Sequence, residues 1–398
     1  MMGRLERAFN ISDLRRLARK RLPRPIFDYI DGGADDEWTL KRNHDAFADY
    51  ELLPDVLIDT SSIRSETTLF GQKIAWPLIL SPTGLTRMFH DDAELAVARA
   101  AARHGLMYSL STLGTTRLEA LAESFAGPKA FQIYIFKDRG LTAEFIGRCR
   151  EAGYHALMLT VDTPVAGNRE RDRFNGLSIP PRLTLKSMLS FAMKPSWSLP
   201  ALTGNKFDFA NVSHKVDALA GRQMSLFDYI GGQFDRTLTW RDVEWLAKEW
   251  NGPLSIKGVM APQDAKHAIA SGATSIMISN HGGRQLDGAP APVDQIAPIR
   301  DAIGDSGEIV CDGGIRRGSD VVKALALGAN ACSIGRPYLY GLAAGGEAGV
   351  HRALGLLHEE FERTMVLAGV NDVAKLERRH IRMRSWLSWA EDGVVIGK

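Results

Sequence analysis

The chain has 398 residues, a formal net charge of +2 and a charged fraction of 24%. Its length suits one large α/β barrel or two ordinary domains, and a net charge so close to zero excludes the general basic field expected of a nucleic-acid-binding protein. Three scattered cysteines without CxxC spacing, Cys149, Cys311 and Cys332, favour core thiols in a reducing compartment over a disulfide scaffold or a zinc site. No apolar run approaches the length of a membrane span and the first residues do not resemble a signal peptide, so we expect a cytoplasmic protein.

The first 75 residues form the predicted N-terminal helical segment. A helix capped at Asn10 or Ser12 should end at Pro23, because proline cannot continue a helix. A second, shorter helix should begin at Pro25 and end at Gly32, which places proline at the start and glycine at the end. Both helices precede the part of the chain in which strand patterns begin.

From residue 76 onward, short apolar runs alternate with amphipathic helical patterns, which indicates parallel strands joined by crossover helices. Eight such runs predict a (β/α)₈ barrel over residues 76–370, followed by a C-terminal tail at 371–398, all in a single domain. The eight runs are residues 77–81, 107–112, 131–135, 156–162, 254–259, 275–279, 309–312 and 331–335.

The connection after the fourth run is too long for a simple βα loop and contains an insertion at residues 174–211. Its apolar stretch at 188–197 has the cations Arg182, Lys186 and Lys194 nearby, which would suit an interfacial contact with a membrane. A lid packed on the barrel would explain the same composition. The two interpretations are nearly balanced, and we favour the membrane contact slightly.

Nearly every predicted strand ends in polar groups at its C-terminal edge, and in a barrel these edges form one ring around one mouth. Any one of these groups could be an ordinary turn residue, but their convergence favours an active site. They lie at residues 81–83, 111–112, 132 and 134, 160 and 162, 257, 279–284, 312–316 and 335–336.

The most informative stretch is SNHGGRQLD at residues 279–287, directly after an apolar strand. His281 can accept a proton near neutral pH, and Arg284 can bind a carboxylate through two parallel hydrogen bonds. The alternative is a histidine that caps backbone groups beside a solvated arginine. Gly282 and Gly283 let the backbone approach a ligand closely, which favours a site for an acid that loses a proton.

Glycine-rich loops with arginines follow the seventh and eighth strands, at residues 312–318 and 335–337. They indicate a phosphate site, which barrels favour at this corner. Lys257, at the end of the fifth strand, could be a Schiff-base lysine, a phosphate partner or a cation beside an electron-rich ring. No dinucleotide fingerprint follows an early strand, which disfavours NAD, and no ligand spacing suggests a metal.

The 279–287 stretch resembles the signature of the FMN-dependent L-2-hydroxy-acid oxidases and dehydrogenases, a family that includes glycolate oxidase, L-lactate dehydrogenase and (S)-mandelate dehydrogenase. The resemblance spans nearly the whole chain. Its other motifs lie at residues 29–34, 82–84, 131–134, 159–162, 256–258 and 312–318. It implies oxidation of a 2-hydroxy acid to the 2-oxo acid with bound FMN, and a homotetramer.

The resemblance also implies the roles of individual residues. Arg169 and Arg284 would bind the substrate carboxylate, while His281 removes a proton and Asp162 orients His281. Lys257 would stabilise negative charge on the reduced flavin, and whether a hydride or a carbanion moves stays open. The implied catalytic set is His281, Asp162, Tyr134 and Tyr29, and the implied substrate contacts are Tyr29, Tyr134, Arg169, His281 and Arg284. The implied FMN contacts are Thr83, Gly84, Ser111, Gln132, Thr160, Lys257, Asp312, Gly314, Arg316, Gly335 and Arg336.

Two positions depart from the glycolate oxidase pattern. Gly84 stands where those enzymes carry alanine, which favours a dehydrogenase that passes electrons to a membrane quinone or similar acceptor rather than to oxygen. Such an acceptor would place the protein on the inner face of the cell membrane. Leu113 stands where they carry a pocket tryptophan, which permits a wider or more apolar substrate. The motifs at 21–23, 167–172 and 197–199 are most similar to bacterial mandelate dehydrogenases, and next to lactate dehydrogenases.

Three alternatives stay open on the sequence. One is an oxygen-using oxidase of the same family. The second is a flavin-free barrel that binds or isomerises a sugar phosphate at the same glycine-rich corner. The third is a noncatalytic, membrane-associated scaffold whose working part is the 174–211 insertion. A yellow protein that bleaches with a 2-hydroxy acid would exclude the second and the third.

Overall fold

The structure is a computed structural model that describes residues 3–176, 185–203, 209–212 and 232–384. Its centre is a closed barrel of eight parallel strands, which confirms the predicted fold. Each strand neighbours the next one in chain order, and the last strand pairs with the first to close the barrel. The barrel strands are Leu78–Leu80 (β4), Met107–Ser111 (β5), Lys129–Ile133 (β6), Ala156–Thr160 (β7), Leu254–Val259 (β8), Ser275–Ser279 (β9), Glu308–Asp312 (β10) and Ala331–Ile334 (β11).

Helices surround the barrel and connect its strands, as parallel strands require. The last of them, Arg336–Leu367, is kinked at Gly345 and Gly346, where the backbone leaves helical geometry. The described helices are Ile11–Arg21 (α1), Arg24–Asp31 (α2), Trp38–Asp45 (α3), Ala93–Arg103 (α4), Leu118–Ser124 (α5), Arg139–Glu151 (α6), Glu170–Phe174 (α7), Leu185–Ala192 (α8), Pro195–Thr203 (α9), Trp240–Trp250 (α10), Pro262–Ala270 (α11), Ile296–Ile303 (α12), Gly318–Ala326 (α13) and Arg336–Leu367 (α14).

The barrel strands are buried on both faces, which is why they read as continuous apolar runs. Cys311 of β10 lies beside Cys332 of β11, and both thiols are buried, as is that of Cys149. Burial raises the pKa of the Cys149 and Cys332 thiols. The prediction of core thiols is confirmed.

The two predicted N-terminal helices are confirmed. The Asn10 side chain caps α1 by accepting a hydrogen bond from the Asp13 N–H at 2.9 Å. Helix α2 ends at Gly32, close to the barrel mouth, where the Gly32 carbonyl accepts hydrogen bonds from two barrel-loop arginines. Helix α3 is held there as well, because the Asp287 carboxylate accepts from its first backbone N–H groups.

The helical prediction for the first 75 residues is wrong beyond residue 49. Short strands follow: Tyr50–Leu52 (β1) pairs with Ile381–Met383 (β12), and Thr67–Leu69 (β2) pairs with Gln72–Ile74 (β3). These three-residue strands are too short to give a period that can be read from the sequence.

The β2–β3 hairpin closes the amino end of the barrel. Phe70 lies at its turn with φ of 51°, and the Glu308 carboxylate at the start of β10 accepts the Phe70 N–H. The hairpin side chains pack on an apolar layer inside the barrel. The buried cluster consists of Leu69, Phe70, Ile74, Ile79, Met107, Ala130, Ala156, Met158, Met277, Val310 and Ala331.

The insertion contributes helices α8 and α9. Phe191 and Trp197 pack against the core with ring centroids 5.4 Å apart, and the Trp197 indole N–H donates to the Met88 carbonyl at 2.8 Å. The expectation that these two rings face a membrane is therefore wrong, because apolar composition alone does not tell which side a residue faces. Arg182 and the side chain of Lys186 lie outside the described residues. None of the described helices is long and apolar enough to cross a membrane.

Candidate active site

A cavity of about 660 Å³ opens among the carboxyl ends of the barrel strands. This volume lies in the range of about 300–1,000 Å³ that is typical of ligand sites. All but one of the predicted site residues line it: Tyr29, Thr83, Gly84, Ser111, Gln132, Tyr134, Thr160, Arg169, Lys257, His281, Arg284, Asp312, Gly314, Arg316, Gly335 and Arg336. The exception, Asp162, does not line the cavity and is bonded to His281.

His281 follows β9 and pairs with Asp162. Its Nδ1 lies 3.0 and 3.2 Å from the two Asp162 carboxylate oxygens. Its φ of 58° is in the left-handed region, which non-glycine residues seldom adopt, and its N–H donates to the Ser279 hydroxyl at 3.1 Å. Burial alone would raise the pKa of Asp162, but the charges of His281 and Lys257 outweigh burial and lower it. The ionised Asp162 thus fixes the imidazole ring through Nδ1 and leaves Nε2 free to accept a proton.

Two arginines lie against the ring of Tyr29. The guanidinium carbons of Arg169 and Arg284 are 4.9 and 5.0 Å from the ring centroid. Burial, followed by repulsion from Arg169, lowers the pKa of Arg284 to about 9. Asp172 supplies one carboxylate, 3.2 Å from Nε of Arg169, against the two guanidinium charges. The arrangement keeps an excess of positive charge that an anionic ligand would balance.

Lys257 extends from β8 into a buried polar network. Its ammonium donates to the Ser279 hydroxyl at 3.0 Å and lies 3.4 Å from an Asp312 carboxylate oxygen. Asp312 also accepts hydrogen bonds from the Ser279 and Ser81 hydroxyls. The Asp312 carboxylate and the Ser279 hydroxyl together hold the ammonium in one position. The network therefore supports a fixed cation at the cavity wall.

Tyr134 and Gln132 lie at the end of β6. The Tyr134 ring meets the Phe234 ring edge-on at 5.0 Å between centroids. Burial, with a smaller effect from the Asp162 charge, raises the pKa of Tyr134, so its hydroxyl stays a neutral donor. The Gln132 amide oxygen accepts from the Ser111 hydroxyl at 3.1 Å, which fixes the side chain at the cavity wall.

Sequence reasoning missed several residues of this site. Phe89, Phe209 and Phe234 line the cavity but come from three separate connections, so no local pattern joins them. Gln285 lies within the 279–287 motif and had no assigned role, although its side chain makes three hydrogen bonds across the site. Only its place in that motif could have drawn attention to it. Within the described ranges, no cluster of three or more His, Cys, Asp or Glu side chains is arranged to hold a metal ion.

Comparison with known proteins assigns this site to a family. The model of the family described as FMN-dependent dehydrogenase matches residues 18–383. The chain belongs to this family. It is 42% identical to an L-lactate dehydrogenase of Caulobacter vibrioides over 366 residues, which cover 92% of this chain and 95% of that protein. It is 40% identical to glycolate oxidase 1 of Zea mays over 372 residues, covering 94% and 95% of the two chains.

A solved structure of a monotopic membrane protein, (S)-mandelate dehydrogenase, superposes with a TM-score of 0.87 at 35% identity and covers 95% of this chain and 100% of that one. The predicted family resemblance and the FMN cofactor are thus confirmed. Family membership also argues against the flavin-free barrel and the noncatalytic scaffold.

The chemistry of the cavity fits FMN. The Thr160 hydroxyl is buried without a hydrogen-bond partner among the described residues, so it is available to a ligand. Gly335, at the start of α14, lines the cavity, and a Cβ atom built on it would contact the Thr83 methyl at 3.7 Å. Arg316 lines the cavity just before the start of α13, so its guanidinium can meet a phosphate there. Gly314 has φ of 83°, and a side chain there would overlap the Asn43 carbonyl.

Proposed function

We propose that this protein oxidises an L-2-hydroxy acid to the 2-oxo acid and prefers a bulky, mandelate-type acid to lactate. The observation that carries the proposal is that two pairs of residues present His281, Arg169 and Arg284 to one cavity. One pair is His281 with Asp162, a base and its orienting carboxylate. The other is Arg169 with Arg284, whose combined charge suits a carboxylate.

Substrate binding begins with the two arginines. Their guanidinium groups would bind the substrate carboxylate, and a planar guanidinium can do so through two parallel hydrogen bonds. The hydroxyl groups of Tyr29 and Tyr134 would hold the substrate further, since both residues line the cavity. A substrate fixed in this way presents its hydroxy-bearing carbon to the base.

Proton removal is the task of His281. Its Nε2 would accept a proton from the hydroxy acid, and the resulting imidazolium would be stabilised by the Asp162 carboxylate 3.0 Å from Nδ1. FMN supplies the two-electron acceptor that no side chain of the protein provides. Lys257 would stabilise negative charge at the cofactor, because its ammonium is buried at the cavity wall. The contacts proposed for FMN are those that the sequence resemblance implied.

The apolar residues of the cavity lining support the preference for a bulky acid. Phe89, Phe209 and Phe234 line the cavity together with Leu113. Aromatic and aliphatic walls favour an aryl side chain, since each buried methylene contributes about 0.8 kcal/mol. A methyl group, as in lactate, would fill less of this space.

Anaerobic bleaching of bound FMN tests the proposal. (S)-mandelate, L-lactate and glycolate are mixed with the yellow protein in the absence of oxygen, and the reduction rate is followed by absorbance. We expect reduction by (S)-mandelate to be fastest and by glycolate slowest, with (R)-mandelate as the enantiomer control. Failure of every 2-hydroxy acid to bleach the flavin would refute the function, while a faster rate with lactate would refute only the preferred substrate.

We also propose a peripheral contact with the inner face of the cell membrane and transfer of electrons to a membrane quinone or similar acceptor. Met188, Leu189 and Met193 are 55, 60 and 63% exposed, whereas Phe191 and Trp197 pack inward. One apolar face therefore anchors the insertion to the protein and another faces outward, as an interfacial helix requires. Gly84 supports an acceptor other than oxygen only through the sequence resemblance.

Co-sedimentation with vesicles of phosphatidylglycerol and phosphatidylcholine at low salt tests the contact. Wild-type protein should sediment, and the triple variant Met188→Ser, Leu189→Ser and Met193→Ser should not. The matched control, Val56→Ser, Leu57→Ser and Ile58→Ser, removes three exposed apolar groups elsewhere. A lid predicts the opposite pattern: wild-type protein stays in the supernatant, and the first triple variant has a raised KM.

We further propose a homotetramer, on the family resemblance alone. Light scattering of the FMN-loaded protein in detergent-free buffer measures the mass directly. A mass other than that of four chains would contradict the proposal.

A further inference from the structure

We propose that Gln285 is a positioning residue that holds the two loops of the active site in register. These are the β7 loop, residues 162–169, which carries Asp162 and Arg169, and the β9 loop, residues 281–285, which carries His281 and Arg284. The inference rests on the proposed function, because it concerns how that site is assembled. Gln285 itself touches no reacting group in this account and acts through the residues that it holds.

One side chain makes all three contacts. The Gln285 amide nitrogen donates to the carbonyl oxygens of Asp162 and Val165, each at 2.9 Å. Its amide oxygen accepts from the Gly167 N–H at 2.9 Å. The three bonds span six consecutive residues of the β7 loop from a single point on the β9 loop. Both donors and one acceptor of the carboxamide are therefore used, so the side chain has one defined orientation.

The functional pairs are divided between these loops. His281 lies on one loop and its partner Asp162 on the other, and the same is true of Arg284 and Arg169. A shift of either loop would change both pairs at once. The main-chain carbonyl of Asp162 is itself an acceptor for Gln285, which fixes the backbone that carries the orienting carboxylate.

Close backbone contact between the β7 loop and the β9 loop fixes their relative position. A Cβ atom on Gly167 would overlap the carbonyl group of Arg284, so the two loops touch directly at this point. Gly167 donates its N–H to Gln285 at the same place. Contact without this hydrogen bond would let the β7 loop slide along the β9 loop, because van der Waals packing has little directional preference.

The three contacts of Gln285 require a carboxamide, because only this group offers two N–H donors and an oxygen acceptor together. Gln285→Glu keeps an acceptor for Gly167 but presents a carboxylate oxygen to two carbonyl oxygens, which repel it. Gln285→Ala removes all three bonds without adding a charge. The matched control is Gln263→Ala, an exposed glutamine on α11 whose amide lies near His267.

The first measurement is hydrogen–deuterium exchange of the FMN-loaded protein over residues 162–169. We expect faster exchange at the Gly167 amide in Gln285→Ala and Gln285→Glu, and no change in Gln263→Ala. This result does not depend on turnover, so it stands even if no 2-hydroxy acid reduces the flavin. Unchanged exchange in both Gln285 variants would overturn the proposal.

The second measurement is a double-mutant cycle on FMN reduction with Asp162→Asn. Gln285→Ala should slow the limiting rate roughly 10- to 100-fold, as misplacement of reacting groups by about 1 Å does. It should also raise the substrate KM through Arg169. In the Asp162→Asn background it should lower the limiting rate little further. The proposal is contradicted if the rate losses of the two single variants are fully additive and Gln285→Ala also lowers the melting temperature. Gln285 would then be a general structural residue.

Discussion

The two ends of the barrel use the same eight strands in opposite ways. At the amino end, the β2–β3 hairpin and the strands bury a cluster of apolar side chains that includes Phe70. At the carboxyl end, the strands lead into loops that gather Arg169, Arg284, Lys257 and the His281–Asp162 pair around a cavity. The apolar side chains at the amino end pack against one another, whereas the carboxyl end has an excess of positive charge.

The two ends also differ in the interactions that they contain. Burial and Arg169 lower the pKa of Arg284 to about 9, so the carboxyl end carries an unfavourable charge interaction. At the amino end, the apolar cluster contributes to stability through packing. Variants at the carboxyl end should therefore change chemistry with little change in stability, and variants at the amino end should do the reverse.

The largest effect on chemistry is expected for His281→Ala. The variant should still bind FMN, but the substrate should reduce the flavin about 10²- to 10⁴-fold more slowly, because a positioned general base contributes a factor of that size. Stopped-flow absorbance under anaerobic conditions measures the rate, and the flavin content of the purified variant is the control. A reduction rate near that of the wild type would show that His281 is not the base and would contradict its proposed role at the carboxyl end of the barrel.

Phe70→Ala tests the opposite end. Truncating a buried phenylalanine should lower the free energy of unfolding by about 3–5 kcal/mol and leave the reduction rate of the folded protein unchanged. Urea denaturation gives the stability. Phe9→Ala, at an exposed phenylalanine, is the matched control and should change neither quantity. A slower reduction rate in Phe70→Ala would show that the two ends are coupled.

Arg284→Lys tests whether the carboxyl end needs a guanidinium or only a positive charge. Lysine keeps the charge but lacks the planar group that makes two parallel hydrogen bonds. Catalytic efficiency should fall about 10- to 150-fold, which corresponds to loss of a charge-assisted hydrogen bond of about 1.5–3 kcal/mol. The dependence of reduction rate on substrate concentration measures the loss. Arg378→Lys, at an exposed arginine paired with Asp301, provides the control. Unchanged kinetics in Arg284→Lys would make Arg284 a structural residue.

The smallest effect is expected for Glu308→Gln. Burial raises the pKa of Glu308, and the Phe70 N–H opposes this only in part. The folded protein therefore binds this proton more tightly than the unfolded chain, and stability falls as pH rises above the ordinary carboxyl range. Glutamine keeps an acceptor for Phe70 without the charge, so the variant should melt higher than wild type at pH 8 and equally at pH 4. Melting curves at both pH values measure this difference. If the melting temperatures of both proteins fall equally from pH 4 to pH 8, the proposed effect of the Glu308 charge is contradicted.

The barrel was predictable because its strands are buried on both faces and read as apolar runs. The third strand was misplaced by two residues, since Lys129 at its start is polar yet buried. The site residues were predictable as a group, because a barrel brings all strand ends to one mouth, but their roles came from the family resemblance. Those roles stay predictions.

Other features could not be read from the sequence. The partners of Gln285 are backbone atoms about 120 residues away, and backbone atoms leave no trace in residue identity. Phe191 and Met193 are equally apolar, so only the packing shows that the first faces inward and the second outward. The hairpin around Phe70 has strands of three residues, which give no measurable period.

The most direct test of the account is the pH dependence of anaerobic FMN reduction at a saturating concentration of (S)-mandelate. A histidine must be neutral to accept a proton, so the limiting rate should be low at acid pH and rise to a plateau at higher pH. Phe70→Ala should give the same profile, because the amino end takes no part in the chemistry. A limiting rate that is already at its plateau at acid pH would contradict proton removal by His281 and with it the central claim.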